Sequence, residues 1–367
     1  MVPMTKTFLL PAVLALVILA LAPALTAGSL QANLIAMFPK NVSEFAYADL
    51  AEARKSSWFP QFKSQSLPPR FTELEQFLAS AGVNPTQVEE LAWALVSADE
   101  APQPPQPDIQ PPPPETKPTQ IKFPQAKSVQ ATPTPASTSK LTPSNNDQLI
   151  GLALGSFDPG AATASFKARK LRGFQDRGFT LYSCGSPCSG LYVTFLDSST
   201  IAFGPRHSLE RLIEVRSGAA DSILQNDQMF SLINQANGRG LFWGVLNSAG
   251  TRRALRRLVP EAATFPQADK LLAKLTALSV TIEGSSDLAA HLRALTKSPD
   301  DSVLLAQLLQ GVLLFRQFQS HDQNPALALL LDSVRISPNG PALEVSLTAS
   351  NNQILTLIEH DGFVSKR

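Results

Sequence analysis

Cysteine is almost absent from this 367-residue chain, which has two, Cys184 and Cys188. Because no cysteine precedes position 184, a lipid-modified cysteine near the N-terminus is excluded. Charge of one sign is not in excess either, since 31 basic and 30 acidic residues give a formal net charge of +1. A chain with so little net charge lacks the electrostatic footprint of a nucleic-acid-binding protein.

Motifs for catalysis and metal binding are also missing. The four histidines at positions 207, 291, 321 and 360 are scattered, and no H-E-x-x-H or G-x-S-x-G motif occurs. A match to S-x-x-K at residues 137–140 lies in a low-complexity stretch that offers no pocket to desolvate the lysine. The sequence therefore assigns no catalytic residue, no cofactor and no metal ligand, and favours a protein that is not an enzyme.

The longest run without charge lies between Lys6 and Lys40, and residues 8–27 are its strongly apolar part. A basic residue, an apolar stretch and small residues after a proline are the parts of an export signal, and Ala22-Pro23-Ala24 fits the cleavage site. The same apolar part also matches the roughly 30 Å span of a bilayer at about 1.5 Å per residue. Residues 1–27 are predicted to be a signal peptide or a retained signal-anchor. The body is then expected in the periplasm, either free or tethered to the inner membrane.

The residues after this leader carry a family resemblance. Residues 38–50 combine a proline, a polar turn and a strand that bears Phe45 and Tyr47. Together with the leader, they resemble the start of uncharacterised exported bacterial proteins. The resemblance implies a location in the bacterial envelope and a domain of unknown function, and it transfers no catalytic residue.

An oxidising compartment favours a structural role for the two cysteines. Apolar alternation on both sides of a Gly-Ser-Pro tip predicts a β-hairpin, across which Cys184 and Cys188 would pair as a disulfide. So short a loop contributes on the order of 2 kcal/mol. The C-x3-C spacing differs from the C-x-x-C of thiol oxidoreductases. Free thiols and a redox or metal site are the alternatives.

Proline concentrates in residues 101–146, which contain 13 of the 30 prolines. Such a segment favours solvated coil over a helix or a sheet, so we expect a disordered insertion. The apolar residues 90–97 before it and 149–157 after it are typical of buried strands. Because the cost of loop closure rises slowly with loop length, these strands are predicted to pair as a hairpin whose turn contains the long insertion.

The order of predicted elements is similar on the two sides of residue 225. Each side follows a β-α-β-β-α-β-β-α plan, so residues 33–224 and 225–362 are predicted to be two tandem α+β repeats with antiparallel sheets covered by helices. The strongest predicted helix covers residues 299–319, with Ser298 as its N-cap and Pro299 at its first position. Its broad apolar face predicts that the helix is largely buried between layers.

Two surface features suggest binding. On a predicted helix over residues 251–258, Arg252 lies above Arg256 and Arg253 above Arg257, a candidate patch for an anionic lipid or envelope polymer; a solvated face is the alternative. Trp58 and Phe59 are either a hydrophobic docking surface or ordinary packing.

These features favour a non-catalytic exported envelope protein with a binding or scaffold role towards a macromolecule, with an envelope protein or a lipid as its partner. The alternatives are a periplasmic carrier of a lipid or another apolar ligand, which a curved sheet covered by helices could hold, and a hydrolase with dispersed catalytic residues.

Overall fold

The computed structural model describes residues 28–60, 63, 67–97, 147–185, 190–258, 270, 272–284, 287–323, 325–350 and 352–353. The predicted leader, the predicted disordered insertion and Cys188 lie outside these residues. The described chain is an α+β protein, as the sequence predicts.

The described strands form one antiparallel sheet of twelve strands. In spatial order the strands are β11-β12-β10-β9-β8-β1-β2-β3-β7-β6-β5-β4. Their bounds are β1 Val42–Asp49, β2 Val88–Ser97, β3 Asp147–Gly155, β4 Gly173–Asp176, β5 Phe179–Ser183, β6 Tyr192–Phe195, β7 Thr200–Gly204, β8 Phe242–Asn247, β9 Leu275–Glu283, β10 Asp287–Thr296, β11 Arg335–Asn339 and β12 Ala342–Ser350.

Helices lie on both faces of this sheet. Their bounds are α1 Ala32–Ile35, α2 Leu50–Ala53, α3 Pro69–Ser80, α4 Pro159–Ala168, α5 Arg206–Arg216, α6 Asp227–Ala236, α7 Ser248–Leu258, α8 Pro299–Gln323 and α9 Pro325–Asp332. Short 3-10 turns occur at Pro85–Gln87 and Ile223–Gln225.

The two sides of residue 225 meet at the centre of the sheet, where β1 pairs with β8. Trp243 of β8 stacks against Phe45 and Tyr47 of β1, with 5.6 Å between ring centroids in each pair. Its indole Nε1 donates a hydrogen bond of 3.1 Å to the carbonyl oxygen of Gly28. The strands predicted for the two halves therefore lie in one continuous sheet rather than in two.

The alternation of side chains along the strands gives the sheet two different faces. The front face, which bears Trp93, Phe203 and Phe242, packs against α2, α3, α4 and α9. Leu246 and Leu278, on the same face, pack with α7 and α8. The rear face, which bears Tyr47 and Trp243, packs against α1, α5 and α6. Over β9, β10 and β12 the rear face is polar instead and lines an open groove of about 440 Å³.

The hairpin predicted on either side of the proline-rich segment is confirmed, because its two strands pair. β2 and β3 pair antiparallel from Ser97 with Asp147 at one end to Val88 with Gly155 at the other. The chain between Ser97 and Asp147 therefore connects two neighbouring central strands and does not separate two domains.

Candidate functional site

Helix α8 begins where the sequence predicts. The Asp301 backbone N–H donates a 3.2 Å hydrogen bond to Ser298 Oγ, so Ser298 is the N-cap, and Pro299 occupies the first turn. The helix continues to Gln323, a length of 25 residues, and α9 follows it directly.

Small and polar side chains form the side of α8 that faces the protein. Ser302, Ala306 and Ser320 are buried. Ser302 Oγ donates to the Gly340 carbonyl oxygen at 2.6 Å, in the turn between β11 and β12. Gln317 Nε2 donates to the Leu331 carbonyl oxygen of α9 at 3.1 Å. The helix is thus held on the sheet by close approach and by hydrogen bonds.

Large apolar side chains form the opposite side and face outward. Phe318 is 83% exposed and Phe315 is 65% exposed, although both are residues that normally drive burial. With about 100° between successive helix positions, the exposed apolar residues spread over roughly 240° of the circumference, and Leu309 lies only about 20° from Ser302, at the margin of the side that faces the protein. This apolar face consists of Val303, Leu304, Leu308, Leu309, Val312, Leu314, Phe315 and Phe318 of α8 and Leu329 of α9.

The prediction that this helix is largely buried is wrong. Leu304, Leu308, Phe315 and Phe318 lie within about 80° of one another on the helix, which marks them as one side. The sheet instead receives the side with Ser302 and Ala306, because small residues let the backbone come close to the β11–β12 turn. Hydrophobic periodicity locates the apolar side of a helix but does not say what covers it.

Burying an apolar face of this size would be strongly favourable in free energy. Fully burying a Leu, Val or Phe side chain is worth about 1.5–3 kcal/mol, and monomeric soluble proteins rarely expose contiguous apolar patches of this kind. Charge is scarce along it, since Arg316 is the only Lys, Arg, Asp or Glu between Asp301 and Asp322. The surface is therefore built to contact something apolar.

Helix α7, which carries the candidate arginine patch, lies on the same face of the sheet as α8. Ala254 and Leu255 of α7 pack against one apolar cluster with Leu305 and Ala306 of α8. In the same region, the Lys274 ammonium pairs with the Asp301 carboxylate at the start of α8. The hydrogen bond from Lys274 holds the pKa of Asp301 below its ordinary value.

The structure describes part of the predicted patch. Arg252 is half-buried, and Arg253 donates a hydrogen bond to Ser43 Oγ at the start of β1. Arg256 and Arg257 belong to the helix, but their side chains lie outside the described part of the chain. The sequence predicted this patch but did not predict the exposed apolar face beside it.

A second concave region, of about 340 Å³, lies at the start of β2 and contains Glu89, Glu90 and Asp197. Burial raises the pKa of Glu90 above its ordinary value, although a hydrogen bond with Tyr47 works in the opposite direction. Burial also raises the pKa of Tyr47, whose hydroxyl therefore stays protonated and donates. Burial acts on Asp197 too, but hydrogen bonds from Ser199 and Thr200 outweigh it and lower the pKa of that carboxyl.

The raised pKa of Glu90 gives a stability prediction. Because the folded state binds this proton more tightly than the unfolded state, the associated stability is present below the unfolded pKa and is lost as pH rises through the folded pKa. Glu90→Gln is therefore expected to raise the free energy of unfolding at neutral pH, and the gain should vanish in acid. Urea unfolding at several pH values measures this. A variant less stable than the wild type at neutral pH would contradict it.

The predicted disulfide falls partly outside the described residues. The Cys184 backbone N–H donates to the Leu191 carbonyl oxygen at 3.0 Å, and β5 and β6 pair on either side, so the predicted hairpin is confirmed. Cys188 lies outside the described residues. The bridge itself stays a prediction.

Alkylation of the purified chain under non-reducing, denaturing conditions tests this bridge. We expect intact mass to show no alkylated cysteine before reduction and two afterwards. Replacing both cysteines by serine is expected to lower the free energy of unfolding by about 2 kcal/mol, as a short loop requires. Full alkylation without reductant would contradict the pairing.

Within the described residues, no group of three or more His, Cys, Asp or Glu side chains comes together as a metal site. None of the helices in that part of the chain has the length and hydropathy to cross a bilayer.

Comparison with known proteins gives little. No protein-family model matches this chain, and no curated protein matches it. Crystal form I of TP0453 aligns with 89% of this chain and 96% of its own, with a TM-score of 0.42 and 10% identity. Crystal form IV of TP0453 aligns with 88% and 95%, with a TM-score of 0.43 and 11% identity. Similarities this low say nothing about the function of this chain.

Proposed function

We propose that this protein is a non-catalytic envelope protein that binds the surface of a lipid bilayer through the apolar face of α8. The observation that carries the proposal is the orientation of this helix. Its small and polar residues, such as Ser302 and Ala306, face the sheet, while Phe315 and Phe318 face outward. A helix arranged in this way can transfer its outer side into an apolar medium without giving up its contacts with the protein.

The shape of the surface favours a bilayer over a small apolar ligand. Ligand sites are concave and enclose most of the ligand, whereas the side chains of α8 stand out from the protein. Exposed fractions above one half at Val312, Leu314, Phe315 and Phe318 are those of a convex ridge. Acyl chains can rearrange around a ridge. This is why we favour membrane binding over a carrier of lipid or another apolar ligand.

The composition of the ridge favours a bilayer over a protein partner. Protein interfaces combine an apolar centre with a polar rim and matched shape. On α8 the exposed apolar residues spread around most of the helix circumference, with Gln307 and Gly311 between them. An interfacial helix immerses its apolar side about 5–10 Å into the boundary between headgroups and acyl chains, which is roughly the outward half of a helix.

The remaining sequence predictions fit this proposal. An export signal or signal-anchor over residues 1–27 would bring the protein to the periplasm, next to a membrane. The tandem repeat is likewise a proposal. It is supported by strand order, since β1-β2-β3-β7-β6 and β8-β9-β10-β12-β11 follow the same pattern outward from the central β1–β8 pair.

Co-sedimentation with phosphatidylcholine vesicles tests the proposal. The purified chain lacking residues 1–27 should pellet with the vesicles, and its sedimentation velocity without lipid should be that of a monomer. Absence of vesicle binding would overturn the proposal. A stable dimer that dissociates when Phe318 is replaced by serine would also overturn it, because the apolar face would then be a contact between two copies.

A further inference from the structure

We propose that the membrane bound by α8 is anionic, and that arginines of α7 and α8 contact its phosphate headgroups. This inference rests on the proposed function, since it names the lipid class that the same surface selects. It starts from the position of α7, whose 11 residues contain four arginines and no acidic residue. The acyl-facing side chains and a basic helix are neighbours on the front of the sheet.

Arg316 lies on the same flank of α8 as Leu305. The two residues are eleven positions apart, so they lie within about 20° of each other around the helix and about 16 Å apart along it. Leu305 packs into the cluster that includes Ala254 and Leu255 of α7. On the other flank, Gln310 Nε2 donates to the Ile336 carbonyl oxygen of β11, near the edge of the sheet. Arg316 is therefore an exposed basic residue on the flank of α8 away from that edge.

Arg252 supplies the second positive charge. It is half-buried on α7, and Arg256 follows it one turn later on the same ridge of the helix. Arg253 is held towards the protein by its hydrogen bond to Ser43 Oγ. We therefore assign Arg252 and Arg316 as the described headgroup contacts and leave Arg253 out.

Few acidic side chains lie on the two helices that carry these arginines. On the described part of α7 and α8, the acidic residues before Asp322 are Asp300 and Asp301 at the start of α8, and Asp301 is paired with Lys274. The pocket containing Glu89, Glu90 and Asp197 belongs instead to the start of β2. Asp332 at the end of α9 and Glu44 of β1, opposite Leu246, are acidic residues on the front face, so the excess of basic side chains is confined to α7 and to α8 after Asp301.

The chemistry of this combination fits an anionic phospholipid. A guanidinium group binds phosphate oxygens with two parallel N–H donors. Each basic residue beside an inserted apolar helix raises the affinity for anionic lipid about fivefold. This electrostatic part weakens as salt rises, because the Debye length shortens, while the apolar part remains.

Paired vesicles test the inference, one set of phosphatidylcholine alone and one in which part of the lipid is phosphatidylglycerol. The wild-type chain lacking residues 1–27 should bind the anionic set at least tenfold more tightly. Arg252→Gln with Arg316→Gln should remove most of that difference, with a much smaller loss of binding to phosphatidylcholine, whose phosphate is balanced by choline. The matched control is Lys40→Gln with Arg211→Gln, an equal charge change in the layer on the rear face, which should leave both affinities unchanged.

The outcomes separate this inference from the function on which it rests. Equal binding of the wild-type chain to both vesicle sets would overturn the inference and keep the proposed function. An anionic preference that survives Arg252→Gln with Arg316→Gln, or is lost equally in the control pair, would overturn the assignment of these arginines. Failure to bind the phosphatidylcholine set would overturn the proposed function itself, because the apolar face should bind without headgroup charge.

Discussion

Replacing Phe315 and Phe318 together by serine is expected to weaken vesicle binding about 100-fold. Each replacement removes roughly 1.5 kcal/mol or more of favourable apolar burial from the membrane-bound state. Both side chains are mostly exposed in the free protein. Exposed substitutions usually change the free energy of unfolding by less than about 0.5 kcal/mol, so the fold should be unaffected. Vesicle co-sedimentation measures the first effect and thermal unfolding the second.

Leu224 provides the matched control for this pair. It is an exposed apolar residue in a 3-10 turn near the rear helices, remote from α8. Leu224→Ser should leave vesicle binding unchanged. If the double variant bound vesicles as well as the wild type and was equally stable, the apolar face of α8 would not be the membrane contact.

Trp243→Ala is expected to cost about 3–5 kcal/mol of unfolding free energy, which is a large part of the total for a protein domain. Trp243 is 2% exposed, and it stacks against Phe45 and Tyr47 in the strand pair that joins the two sides of the sheet. Its removal leaves a cavity at the centre of the sheet and takes away one of the two hydrogen bonds to the Gly28 carbonyl oxygen, which also accepts from the Gly238 N–H. Urea unfolding followed by circular dichroism gives the free energy.

Trp243→Phe separates the two contributions. Phenylalanine retains much of the ring stacking but cannot donate to Gly28, so this variant should lose about 1 kcal/mol for the hydrogen bond, with a smaller loss for volume. A single cooperative transition is expected in both variants, because β1 and β8 belong to one sheet. Two separate transitions, or a loss below about 1 kcal/mol for Trp243→Ala, would contradict a shared core across this strand pair.

Local patterns were sufficient to predict much of the sheet. The β9–β10 pair and the β11–β12 hairpin have the alternation and turn residues of antiparallel strands, but the turn of that hairpin is Gly340-Pro341, because Pro338 and Asn339 are paired in β11. The β2–β3 pair could be predicted across the long insertion because both segments are apolar and bounded by polar residues. The joining of β1 to β8 could not, since pairing of strands about 200 residues apart leaves no local pattern.

Helix α6 and strand β4 were not predicted. The signal for α6 was present, because Met229, Leu232, Ile233 and Ala236 follow helical spacing and are buried. Asn226 Oδ1 also accepts a 3.1 Å hydrogen bond from the Met229 N–H, as an N-cap does. Strand β4 has only four residues and lies at the edge of the sheet, so its pattern is short.

The candidate site shows that sequence patterns do not determine whether an apolar residue is buried or exposed. Trp58 and Phe59, a candidate docking surface, are buried, whereas the helix predicted to be buried exposes its phenylalanines. In both cases the pattern identified apolar residues correctly. The surroundings that decide burial come from distant segments: the ring of Phe242 lies against Trp58, and the β11–β12 turn receives the small residues of α8.

Tryptophan fluorescence of a Phe318→Trp variant tests membrane insertion of α8 most directly. The native Trp58, Trp93 and Trp243 are buried and provide a constant background, while position 318 is exposed to water. On addition of anionic vesicles, the emission of the new tryptophan should shift to shorter wavelength, and lipids brominated in their acyl chains should quench it. Unchanged and unquenched emission from protein that still pellets with the vesicles would show that α8 stays outside the bilayer.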